Sequence, residues 1–104
     1  MSEAADLIRQ AERVADRLGV VGPRMAARSS AAAAHVLDDV RAVLQQLADL
    51  GADAEAHERR PIPVLGAHAL GDQVLVLAHD VADAGEPTAW DAATALLRAL
   101  ASRI

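Results

Sequence analysis

Apolar residues return at helical spacing in four separate stretches of this chain, and no other feature limits its fold so strongly. Leu7, Ala11, Val14 and Leu18 form the first series, and Val36, Val40, Val43, Leu47 and Leu50 the second, with Leu37 and Leu44 beside it. Leu70, Val74, Leu77, Val81 and Ala84 form the third, and Trp90, Ala93, Leu97, Leu100 and Ile104 the fourth. Side chains three or four positions apart share one face of an α-helix, so each stretch predicts an amphipathic helix with a face to bury. Four such faces in 104 residues predict one all-α domain over 1–104, an antiparallel four-helix bundle with helices near 3–18, 24–50, 70–84 and 89–103.

Capping residues and helix breakers place the boundaries. Ser2 suits the first N-cap, Gly19 a left-handed stop, and GVVGPR a tight connection to a helix beginning at Pro23, Ser29 or Ser30 and ending at Gly51. Residues 52–69 read as a long crossover between helices 2 and 3, in which DAEAHERR can form a short helix and PIP fixes extended backbone. Ile62, Val64 and Leu65 are expected to tuck against the core. Gly85 and Pro87 close the third helix, and Thr88, with Asp91 three residues on, begins the fourth.

The segment GDQVLVLAHD carries an ambiguity with functional weight. VLVL alone reads as a buried strand after a turn, with IPVL as its partner, which gives an α+β alternative with a short hairpin at 62–65 and 73–78. A strand apolar on both faces needs cover on both sides, which so short a chain is poorly equipped to give, and the spacing from Leu70 to Ala84 predicts helix. Leu75 and Val76 then fall off the main stripe. They are the expected partner-binding residues, with homodimerisation as the corresponding assembly.

Composition removes several classes of function. About a quarter of the residues are alanine, Phe and Tyr are absent and Trp90 stands alone, so no aromatic platform exists on which bases could stack. The net charge of −5 offers no basic field for a phosphate backbone, so no nucleic-acid partner is expected. Without cysteine there is neither a disulfide nor a thiolate ligand. The start MSEAADLIRQ lacks a signal's basic and apolar parts, and no stretch is long enough to span a bilayer; a cytoplasmic location and no membrane partner are expected. Arg9, Arg13 and Arg17 repeat every four residues among Asp6, Glu12 and Asp16, a pattern expected to pair and leave a solvated face.

Two functional readings follow. The leading one is a small non-enzymatic helical protein, without a cofactor, that binds itself and a protein partner. The alternative is a metal- or phosphate-dependent enzyme using His79, Asp80 and Asp83 with His35, because each of two helices offers a His and an Asp at ligand spacing. Over a dipeptide, His79-Asp80 resembles the pair in HD-type metal phosphohydrolases, which implies metal-activated water; no further motif extends the resemblance. His35, in mid-helix, also has the setting of a phosphotransfer histidine, although Asp38 and Asp39 would repel a phosphoryl group. Arg59 and Arg60 could hold an anion or pair with nearby acids, and Trp90 is read as a core residue.

Overall fold

The computed structural model describes residues 3–28 and 30–104. Four helices pack against one another: α1 (Ala4–Ala27), α2 (Ala31–Ala54), α3 (Leu70–Asp83) and α4 (Pro87–Ala101), with a single 3-10 turn at Ala67–Ala69. Among the described residues there is no strand, so the hairpin alternative is overturned: 73–78 lies within α3, and 62–65 is unpaired.

The predicted stripes form the core. Leu7, Val14 and Leu18 of α1, Val40, Leu44 and Leu47 of α2, Leu70, Val74 and Val81 of α3, and Leu97 and Leu100 of α4 are all buried. α1 lies mainly against α3 and then α4, and α2 likewise; the sequence neighbours α1 and α2, and α3 and α4, touch less. Specific pairs give the directions. Gly22 faces Ala67 while Gly71 faces Ala15, so α1 and α3 run oppositely. Gln45 and Gln73 hold adjacent points of the crossover, and Gly51 adjoins Asp80 and Val81, so α2 and α3 run the same way. Asp39 pairs with Arg103 at 3.6 Å, and residues 46–53 lie beside 92–99, so α2 and α4 run oppositely.

Several boundaries are corrected. α1 passes through Gly19, Gly22 and Pro23 to Ala27, and Gly19 does not stop it. The physical reason is tertiary: Gly22 is buried so closely against the 3-10 turn that a Cβ there would lie 2.9 Å from the Ala67 carbonyl oxygen. The junction is instead at Arg28 and Ser30, whose hydroxyl accepts from the Ala33 amide at 3.1 Å. α2 likewise continues past Gly51 to Ala54, and residues 57–60 form no helix. It ends where Ala56 takes a φ of 56° and the His57 amide reaches back to the Ala52 carbonyl at 2.8 Å, a Schellman closure. Glu86, not Thr88, caps α4, and Pro87 occupies a first-turn position where its missing N–H costs nothing. Glu3 stands at the N-cap of α1, its amide donating to Asp6 at 3.3 Å; Ser2 and Ser29 lie outside the described residues.

Candidate interaction surface

The crossover is the least regular part of the backbone, and helix side chains hold it in place. Pro61 and Pro63 fix their own φ and keep the residues before them extended, which leaves carbonyls that no neighbouring strand satisfies. Gln45 of α2 supplies the missing strand's part. Its amide nitrogen donates to the Arg60 carbonyl at 3.0 Å, and its oxygen accepts from the Ile62 amide at 3.0 Å. Gln73 of α3 donates to the Pro63 carbonyl at 3.1 Å and Arg41 of α2 to the Leu65 carbonyl at 3.3 Å. At its start, Arg59 grips Asp53 through Nε at 2.9 Å and Nη2 at 2.6 Å, and reaches Asp49 at 4.0 Å. Arg59 is therefore already paired with the chain's own carboxylates. These bonds lower the pKa of Asp53 from its ordinary 3.8, the hydrogen bond first and charge attraction in addition, against some desolvation.

This anchoring leaves apolar side chains in water. Ile62 packs against the core as expected, but Val64 and Leu65 do not: they are 80% and 42% exposed. Two prolines and three side-chain anchors keep this stretch extended, so it cannot turn all of its apolar residues inward. Val76 is 60% exposed, whereas Leu75 is half-buried against the core. Val76 lies one helical turn beyond Gln73, and Val64 follows the proline that Gln73 holds. Beside this edge, a groove of about 790 Å³ opens between the C-terminal half of α2, the crossover and α3, lined by Leu47, Ile62 and Leu77 with Glu55, Arg60 and Asp80 at its polar margin. No sequence signal marks these anchors, because Gln45, Gln73 and Arg41 read as ordinary polar positions of their helices.

The proposed metal ligands are dispersed. His79, Asp80 and Asp83 are exposed on α3, and His35 is exposed near the start of α2. Gly51 is the α2 residue beside Asp80, so His35 lies about 24 Å further back along the helix axis at 1.5 Å per residue. Among the described residues no three His, Asp or Glu gather as a metal site, and His35 does not join the α3 group. Asp39, one turn from His35, is paired with Arg103. Trp90 packs against the core, and its indole N–H donates to the Val81 carbonyl at 3.1 Å, joining α4 to the last turn of α3. None of the described helices is long and apolar enough to cross a membrane. The chain matches no family model, and no characterised protein or solved structure matches it.

Proposed function

We propose that this chain acts by protein binding, self-association included, through the edge where the crossover is fastened to α3. One observation carries this reading. Of the four large apolar side chains exposed among the described residues, Val64, Leu65 and Val76 adjoin that fastening. A segment held extended by its own prolines and by helix side chains has already lost the entropy that docking would otherwise cost, which favours association. Leu75, half-buried at the neighbouring position of α3, adds its remaining exposed surface to the same helix.

A photo-crosslinking amino acid at position 64, expressed in the native cell, tests this. It should yield a discrete adduct whose mass identifies either a second copy or another protein, and Val76→Asp should abolish that adduct while leaving the helical circular dichroism unchanged. If no adduct forms at position 64, or if Val76→Asp leaves it intact, the reading is wrong.

A further inference from the structure

The fourth exposed apolar side chain is Val20, and its surroundings differ from those of the other three. It is 55% exposed on the outer face of α1, where Arg13, Arg17, Val20 and Arg24 follow at steps of four, three and four, with the exposed Glu12 and Asp16 on the other side of Val20. The expected pairing of the α1 arginines occurs only between Arg9 and Asp6; among the described residues Arg13, Arg17 and Arg24 have no ion pair. The outer face of α3 has the opposite sign. Around Val76 it exposes Asp72, Asp80 and Asp83, none of them in an ion pair with a described residue, with His79 among them.

We infer that the partner of the α3 and crossover patch is a second copy of this chain, which lays the arginine face of its α1, with Val20 at its edge, against Val76 and the surrounding aspartates. This rests on the binding reading above and names its occupant. A partner for an apolar centre rimmed by carboxylates should bring an apolar centre flanked by an excess of cations, and α1 of the same chain sets Arg13, Arg17 and Arg24 against Glu12 and Asp16. The two faces lie on neighbouring helices, each turned away from the seam at which Gly71 meets the Ala15 backbone. Each copy can give one face and receive the other, in a contact between unlike faces of two copies. Exposed charges add little affinity individually. They set orientation and encounter rate, while the valines and Leu65 supply the area removed from water.

Sedimentation of the full chain, with charge reversal on each face, tests this. The wild type should self-associate, more weakly at high salt. Arg13→Glu/Arg17→Glu/Arg24→Glu should be monomeric by itself, as should Asp72→Arg/Asp80→Arg/Asp83→Arg. Mixed one to one, the two variants should associate again, because the reversed α1 meets a reversed α3 and the two native faces also meet. Val20→Asp, one change at an exposed site, should give the same loss should either triple variant fail to fold. A monomeric wild type, a Val20→Asp variant that associates as the wild type does, or folded reversal variants that do not recover on mixing would overturn the inference. If the wild type is monomeric while position 64 crosslinks to a different protein, the second copy is excluded and the binding reading survives. If position 64 crosslinks to nothing, the binding reading itself is lost.

Discussion

Ala56 holds a backbone conformation that suits glycine, and it does so at the end of the chain's second helix. With φ at 56° its Cβ crowds the following carbonyl, at about 1–2 kcal/mol for an L-residue. Glycine relieves that strain but loosens the unfolded chain by roughly 0.4–1 kcal/mol. We therefore expect Ala56→Gly to raise stability by about 0.5–1 kcal/mol in urea denaturation, with an unchanged m-value. Asp53, one turn earlier, gives a pH-dependent counterpart. Its pKa is lowered in the folded chain, chiefly by the hydrogen bond from Arg59, so the unfolded chain binds the proton more readily. The stabilisation is thus complete above the ordinary 3.8 and is lost as pH falls through the lower folded value. Urea midpoints followed across that acid range should fall less steeply in Arg59→Gln than in the wild type. The pairing of Arg59 was readable as one of two options for an Arg-Arg doublet near acids; the strain at Ala56 was not, because alanine carries no turn signal.

Among the helices, glycine proved the least reliable guide, and for different reasons at different positions. Gly85 does end α3, with a φ of 73°, whereas Gly19, Gly22 and Gly51 lie inside helices. Local propensity marks each as a breaker, but the contact made by the helix face decides. At Gly71 a Cβ would sit 2.9 Å from the Ala15 carbonyl oxygen, a backbone atom that cannot swing aside; at Gly19 nothing lies within 4 Å. Gly71→Ala should therefore cost about 1–2 kcal/mol, since overpacking of roughly 1–3 kcal/mol exceeds the gain of about 1 kcal/mol in helix propensity. Gly19→Ala should show that gain of about 1 kcal/mol alone, and thermal unfolding of the two side by side separates close approach from propensity. The apolar stripes were legible because their period repeats over many residues. The crossover was not, since its conformation is written in Gln45, Gln73 and Arg41, which lie outside it in sequence and resemble any solvent-facing helix residue.

At the scale of the whole molecule, the four-helix architecture was evident from the spacing, and so was the placing of Val76 off the buried stripe. The rest of the candidate surface needed three dimensions. Val64 was expected inside and lies outside, and the arginines of α1 were expected to pair with acids three residues away, of which only Asp6 takes part. Charge pattern along one helix does not reveal which side chains reach each other, nor that an oppositely charged face stands on the next helix. The packing order has a further consequence, for the route to the folded state. Because α1 and α2 lean on α3 and α4 more than on each other, neither hairpin has much of a core before the other arrives. The contacts that stabilise the fold span much of the chain, and the loop closed to make them includes the crossover. Assembly should consequently be slower than in a bundle whose successive helices zip together, with the two halves docking late and nearly at once.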